Sequence, residues 1–319
     1  MVDRMSRMTG YSRGSSEMSQ NENLLFQSEL HPLVSEKPQT RETFVLSLIH
    51  SKAYARAMEL ARPTTVVLDV GCNDGYGTLT LASRAAKAIG VDVSQAAIDT
   101  ARKRRQCDNI EFRLIDGAAL PFSDEMFDLV SSFQVIEHVV DVRRYLEEIK
   151  RVLKPGGKVL FTTPNRVIRL DPGMRPWNSF HVREYTAAEL SAILREVFPQ
   201  TTVKGLMAPS ELYDIEFARC QSALMGARNQ SVSTPTAKAS QFDFLAAVKA
   251  VLPNLAIDAL RRVRDRLRSA ETKHAVPELT QDFVQRWSVA DLFYIDDVAR
   301  IDRALDLLAE CRKEESPAR

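Results

Sequence analysis

"VVLDVGCNDGYGTLTLAS", residues 66–83, decides the fold. Val66, Val67, Leu68 and Val70 make a short apolar, mostly β-branched run of the kind that forms a buried strand. Gly71, Gly75 and Gly77 then break the run into a turn, and a helical pattern follows over 77–87. Strand, glycine-rich turn and helix in that order open many cofactor sites. The glycines fall at offsets of zero, four and six, whereas the dinucleotide fingerprint places them at zero, two and five, so the spacing is wrong for NAD.

On either side of this stretch, strand and helix patterns alternate. Strands are predicted over 88–92, 110–114, 127–133 and 157–163, with helices over 95–104 and 141–153. Such alternation implies a parallel sheet with crossover helices. "KPGGK", residues 154–158, is a Pro-Gly turn between helix and strand. A helix over 186–196 and a sixth strand over 201–208 complete the regular part. Upstream, Thr43 to Ala61 reads as one or two helices placed to lid the cofactor site. Residues 1–22 read as a disordered tail, so the domain proper is 23–207. Residues 208–300 are expected to form a helical insertion, with a loop over 228–241 and a helical stretch from Phe242 to Ser269 broken at Pro253. Residues 301–319 return to the sheet, with Leu305 to Cys311 as a seventh strand on its edge, and end in a tail. "RALDLLAECRK" also has the spacing of an amphipathic helix.

Composition narrows the classes. A chain of 319 residues with 45% hydrophobic content can bury a sizeable core. Forty-three basic against 42 acidic residues leave a net charge of +1, so no global field draws nucleic acid or an anionic membrane. Cys72, Cys107, Cys220 and Cys311 are far apart, which argues against a zinc ribbon or disulfide framework and fits a reducing cytoplasm. The polar amino terminus has no hydrophobic signal core and no run is long enough for a membrane span, so a soluble cytoplasmic protein is expected.

The carboxylates narrow the ligand. Asp69 ends the first strand, Asp74 lies in the turn, Asp92 ends the second strand and Asp116 follows the third. Ligands of open parallel sheets bind outside the carboxyl ends of the strands, so these four side chains are expected to converge on one crevice. At an effective dielectric of about 20, two like charges 4 Å apart cost roughly 4 kcal/mol, more than a helix terminus returns to an anion. A pyrophosphate is therefore disfavoured, and a cationic cofactor such as S-adenosylmethionine fits. Asp92, 21 positions after Gly71, is placed to accept both ribose hydroxyls.

Over residues 40–207 the sequence resembles the class I S-adenosylmethionine-dependent methyltransferases, of type 11 in particular. "VLDVGCNDGYG" is similar to the family's first motif, and "IGVDVS" carries its ribose acid. "LIDGAALPFSDEMFDLVSSFQVIEHV" is similar to the stretch that caps adenine and closes the site, and "LKPGGKVLFTTPN" to the turn into strand five. The resemblance implies a Rossmann-like, doubly wound, mainly parallel α/β sheet of seven strands with a helical insertion towards the C-terminus. It also implies cofactor contacts from Asp69, Gly71, Asn73, Gly75, Asp92, Val93, Asp116, Gly117 and Gln134. Asn73 stands where the family usually has glycine; asparagine tolerates left-handed backbone angles, so the turn is expected to survive.

Methyl transfer from a sulfonium is an in-line displacement, in which positioning counts most and a base helps when the acceptor is a hydroxyl. Glu137, His138 and His181 are the catalytic candidates. "QVIEH", residues 134–138, is similar to an E-x-x-E-H motif that holds a divalent metal in ubiquinone-type and small-RNA methyltransferases. Gln134 replaces the first glutamate, and an amide is a weak ligand for a hard cation, so no metal is expected. The plainer reading of Glu137 and His138 is that they cap the next helix. "FHVREYT" resembles a segment of type 11 enzymes encoded beside glycan genes, so Trp177, His181 and Arg183 are acceptor-contact candidates. Thr186 and Glu189 form a capping box in any case, and Arg166 and Arg169 are placed to meet an anionic acceptor or solvent. Arg262 and Arg266 mark a basic helix end read as a solvated face, and Trp287 and Phe293 read as core of the insertion. The leading function is O-methylation of a small-molecule, sugar or glycan-linked hydroxyl. A metal-assisted RNA methyltransferase and a non-catalytic binding module on the same fold are the alternatives.

Overall fold

The computed structural model describes residues 38–105, 107–232 and 278–315. The tail over 1–22 and the helical stretch over 242–269, with Arg262 and Arg266, lie outside the described residues. Among the described residues, eight strands form one sheet: β1 (Val66–Val70), β2 (Lys87–Asp92), β3 (Ile110–Leu114), β4 (Phe127–Phe133), β5 (Leu153–Pro164), β6 (Gln200–Met207), β7 (Phe293–Ile295) and β8 (Asp306–Arg312). Their order across the sheet is β3-β2-β1-β4-β5-β8-β6-β7. The first five run parallel, β8 lies antiparallel between β5 and β6, and β7 pairs antiparallel with β6.

The helices are α1 (Arg41–Leu60), α2 (Tyr76–Ala82), α3 (Gln95–Arg104), α4 (Val142–Val152), α5 (Arg166–Arg169), α6 (Ala187–Arg195), α7 (Ser210–Val232), α8 (Gln281–Arg286) and α9 (Val298–Ile301). Their starts follow local chemistry. The side chains of Ser94, Asp141 and Thr186 accept from Ala97, Arg144 and Glu189 amides to cap α3, α4 and α6, the last as the expected capping box. Asp141 therefore caps α4, a role the sequence had offered to Glu137 and His138.

Alternate residues of the strands feed two faces, as the pleat demands. Leu68 and Val70 of β1 belong to one core cluster with Tyr145, Leu146 and Ile149 of α4 and Leu190 and Leu194 of α6. Val67 faces Ala53 and Ala57 of α1, Leu81 of α2 and Ile98 of α3. A third cluster joins Phe44, Val45 and Leu48 of α1 to Leu212 of α7, Phe283 of α8 and Leu305.

Several details differ from the sequence reading. The strand near the carboxyl terminus is present, but it is inserted between β5 and β6 instead of lying at the edge. Leu307, Leu308 and Ala309 are buried on it, consistent with neighbours on both sides. The edge belongs to β7, an eighth strand inside the region expected to be helical, where Phe293 is exposed and not core. Helix α2 ends at Ala82, short of the expected residue 87, and a turn over 83–86 leads into β2 at Lys87. Among the described residues no helix is long and apolar enough to cross a membrane.

Candidate active site

Strand order reverses at β1, which has β2 on one side and β4 on the other. Crevices at such switch points, outside the carboxyl ends of the strands, are where open α/β sheets bind ligands. A cavity of about 480 Å³ lies there, walled by the turn after β1, the ends of β2 and β4, helix α1 and the segment before α6.

The turn is held by its own backbone chemistry. Gly71 has φ 73° and Asn73 φ 48°, both left-handed, so the asparagine keeps the conformation expected of it. A Cβ on Gly71 would come 2.4 Å from Val135 Cγ2, which makes glycine obligatory for close approach. Asp92 accepts from the Asn73 amide (2.9 Å) and the Ser94 amide (2.9 Å), tying the two strand ends together. A carboxylate has about four acceptor sites, so Asp92, which lines the cavity, retains capacity for two hydroxyls. Val93, Ala97 and Ile115 add apolar wall beside it.

The other predicted carboxylates do not converge. Asp69 is buried beneath the turn and accepts from Thr78 Oγ1 (2.7 Å), Ser131 Oγ (2.7 Å) and Tyr54 Oη (3.2 Å). Burial pushes its pKa up to about 6, with those hydroxyls opposing the rise. Asp74 is buried and pairs with Arg104 at 3.0 Å. Asp116 is exposed and accepts from the Ala118 amide, while its neighbour Ile115 reaches the cavity. Gly75 begins α2 with φ 82° against Phe112 and Ala101, and Gly117 has φ 75°; neither lines the cavity. A sequence shows charges but not their partners, and each of these three acids found a local one.

At the far end, β4 runs into a short 3₁₀ turn, Ile136–His138. Gln134 lines the cavity with φ 57°, an uncommon angle for a side-chain-bearing residue. Its amide donates to Thr162 Oγ1 (3.2 Å) and to Asp306 of β8 (3.1 Å). Asp306 is buried, and that burial raises its pKa to about 8. Glu137 is fully buried with neither carboxyl oxygen hydrogen-bonded, and burial pushes its pKa up to about 8. Thr163 Oγ1 tempers that shift, yet is itself without a partner of hydrogen-bonding geometry.

The segment before α6 docks on this turn, its Val182 and Arg183 amides donating to the Glu137 carbonyl at 2.8 and 3.2 Å. His138 Nδ1 lies 2.8 Å from the Phe180 carbonyl, and His181 Nδ1 lies 2.7 Å from Glu184 Oε1. Glu184 also takes a two-pronged contact from the buried Arg169 at 2.9 and 3.0 Å. Burial alone would raise its pKa, but the hydrogen bonds from His181 and Arg169 hold it below the ordinary glutamate value. The two imidazoles meet edge to face, centroids 4.7 Å apart.

The remaining acceptor candidates are elsewhere. Arg169 stacks on Trp177 (4.2 Å), Arg166 pairs with Glu189 (2.8 Å) and Arg183 is exposed; none of these four lines the cavity. The sequence reading missed His50 and Tyr54 of α1, Tyr76, Thr162, Asn178 and Phe180, all of which do. Only the apolar period of α1 hinted that a helix covers the site. His50 is held below the ordinary histidine pKa by burial, against the pull of Glu216.

Comparison with known proteins agrees with this geometry. Residues 68–161 match a family model described as a methyltransferase domain. A protein named probable S-adenosylmethionine-dependent methyltransferase, from Mycolicibacterium smegmatis, is 43% identical over 129 residues, covering 40% of this chain and 49% of that protein. One of the same description from Mycobacterium tuberculosis is 38% identical over 152 residues, 47% of this chain and 54% of its own length. A ubiquinone biosynthesis O-methyltransferase of Coxiella burnetii is 37% identical over 102 residues, 31% of this chain and 44% of that one. The chain thus spans about half the length of the relatives it matches. A turn with two left-handed residues, an amide-anchored acid at the end of β2 and apolar wall beside it fit an adenosyl cofactor. Strand order, the turn after β1 and these similarities together establish that the chain carries the class I S-adenosylmethionine-dependent methyltransferase fold, consistent with type 11.

Proposed function

We propose that the chain methylates a hydroxyl group of a small organic molecule, a sugar or a glycan-linked acceptor. The observation that carries this reading is the asymmetry of one cavity, with Asp92 and the Gly71 turn at one end and the His138–His181 pair at the other. Asp92 and the backbone of Gly71 and Asn73 would hold the cofactor's ribose and amino-acid portion, and Val93 and Ile115 its adenine. When bound, S-adenosylmethionine supplies an electrophilic methyl carbon. The chain's task is then to hold an oxygen about 3 to 3.5 Å from that carbon, in line with the breaking bond.

His181 is equipped for that task. A carboxylate only accepts, so Glu184 fixes the hydrogen of His181 on Nδ1 and leaves the lone pair on Nε2. Nε2 can then accept from an acceptor hydroxyl and orient its oxygen, as a base does when its tautomer is fixed from behind. Phe180 and Asn178 line the same wall and help exclude water. The resemblance to an O-methyltransferase over about a third of the chain supports oxygen as the nucleophile.

The test is transfer of a labelled methyl group from S-adenosylmethionine to a panel of phenols, sugars and amines. Label recovered as an ether from a hydroxylated acceptor is expected, and His181→Ala should lower its rate about 100-fold while S-adenosylhomocysteine affinity is kept. Label recovered only on nitrogen or carbon overturns the hydroxyl assignment.

A further inference from the structure

The acceptor end also has the composition of a metal site. Glu137, His138 and His181 each offer a ligand atom, and these atoms lie within 4.8 Å of one another. The Gln134 amide nitrogen donates to Thr162 and Asp306. His181 joins Glu137 and His138 from a segment more than 40 positions away.

Three observations make the trio more than a meeting of polar side chains. Glu137 is fully buried with both carboxyl oxygens unpartnered, in a fold that satisfies most of its other buried polar side chains. Each imidazole has its Nδ1 against a group that only accepts, the Phe180 carbonyl for His138 and the Glu184 carboxylate for His181. That fixes both hydrogens on Nδ1 and both lone pairs on Nε2, the arrangement that orients metal-binding histidines from behind. Glu184 is in turn immobilised by Arg169, so the support extends one shell further.

We propose that Glu137, His138 and His181 bind one divalent first-row transition-metal ion through the carboxylate and the two Nε2 atoms. Two imidazoles and one carboxylate suit Zn²⁺, Co²⁺ or Mn²⁺ better than Mg²⁺ or Ca²⁺, which prefer all-oxygen shells. Ligands about 2.1 Å from a tetrahedral centre lie about 3.4 Å apart, so binding draws the trio together at its widest separation. Three protein ligands leave a coordination position open to the cavity, where an oxygen of the acceptor binds. This role rests on the reading of that end as the acceptor site. It also replaces His181 as proton acceptor, since one lone pair cannot hold an ion and a proton together, and an ion-bound hydroxyl is more acidic by itself.

The experiment is a Co²⁺ titration of the chelator-treated full chain, followed by visible absorption, with S-adenosylhomocysteine affinity measured in parallel. A saturable band at one ion per chain is expected in the wild type. Glu137→Gln, nearly isosteric, and His181→Ala should each weaken Co²⁺ at least 100-fold, and Glu184→Gln by about 10- to 100-fold. All three should keep S-adenosylhomocysteine affinity, which shows that they fold. No band, or one that survives Glu137→Gln and His181→Ala together, overturns the ion site and leaves the methyltransferase reading intact. A band of the expected stoichiometry with no S-adenosylhomocysteine binding does the reverse.

Discussion

At the proposed cofactor end of the cavity, Gly71, Asn73, Asp92, Val93 and Ala97 come from one stretch of 71–97, whereas the proposed acceptor end takes His50, the pair Gln134 and His138, and His181 from three segments with Asp306 behind them. The first end is made of backbone angles and one amide-anchored acid, so local sequence determines it. The second depends on which side chains the fold brings together over long separations. The two ends also treat charge differently. Asp69 and Asp74 beside the turn have hydroxyl and arginine partners, whereas the Glu137 carboxyl oxygens have no partner of hydrogen-bonding geometry and Asp306 accepts from the Gln134 amide with the Arg169 charge acting on it from a distance. A site that must grip a fixed cofactor can be fully satisfied in advance, while one that must engage a reacting group holds unsatisfied polarity.

The largest expected effect tests that charge asymmetry. Asp306 has a folded pKa of about 8 against an ordinary 3.8, raised chiefly by burial. Between those values the folded state holds a proton that the unfolded chain has lost, so the stability contributed by this group is present below pH 4 and is lost as pH rises towards 8. Asp306→Asn cannot ionise and still offers Gln134 an acceptor. The wild type should therefore lose up to about 1.4 kcal/mol per pH unit more than the variant across that window, read from denaturant midpoints at several pH values. Parallel pH profiles would mean that Asp306 stays charged and is balanced at the acceptor end, which would break the contrast.

Gly71→Ala comes next and probes the cofactor end. The new methyl would sit 2.4 Å from Val135 Cγ2 on a backbone with φ 73°. Left-handed strain and overpacking together predict a loss of about 3 kcal/mol in stability and failure to bind S-adenosylhomocysteine. Asp92→Ala should cost about 2 kcal/mol of S-adenosylhomocysteine affinity in a calorimetric titration, as for lost charge-assisted hydrogen bonds. Unchanged affinity would leave the turn as scaffold and move the ribose contact elsewhere.

The same contrast sets what could be read from the sequence. The strands 66–70, 110–114 and 127–133 were legible because buried parallel strands are short apolar runs between turn residues. β8 was legible as a strand but not as an interior one, since its neighbours β5 and β6 are specified by topology and not by its residues. β7 has three residues and no period to detect. In the site, Gly71, Asn73, Asp92 and Val93 stood in a recognisable order and line the cavity. Asp116 and Gly117 stood in one too, but of that loop only the neighbouring Ile115 lines the cavity. His181 was legible as a catalytic and acceptor-contact candidate on a loop; that Glu184 stands behind it and Glu137 beside it depends on Val182 and Arg183 docking on β4's end.

Helix α1 bridges the two ends and gives the finest test of their independence. Its Tyr54 reaches Asp69 under the turn, its His50 lines the cavity, and its Arg56 makes a two-pronged contact with Glu310 of β8 at 3.0 and 2.9 Å. Arg56→Met keeps the apolar stem and removes the charge pair, which is only partly buried, so a stability loss of about 1 kcal/mol is expected, smaller at high salt. The Tyr54 anchor is untouched, so S-adenosylhomocysteine affinity should hold within about threefold while methyl transfer slows as the acceptor wall loosens. If affinity falls in step with transfer, α1 moves as one body with the turn. The acceptor end is then no separate construction, and its specificity would be set by the cofactor half of the sheet.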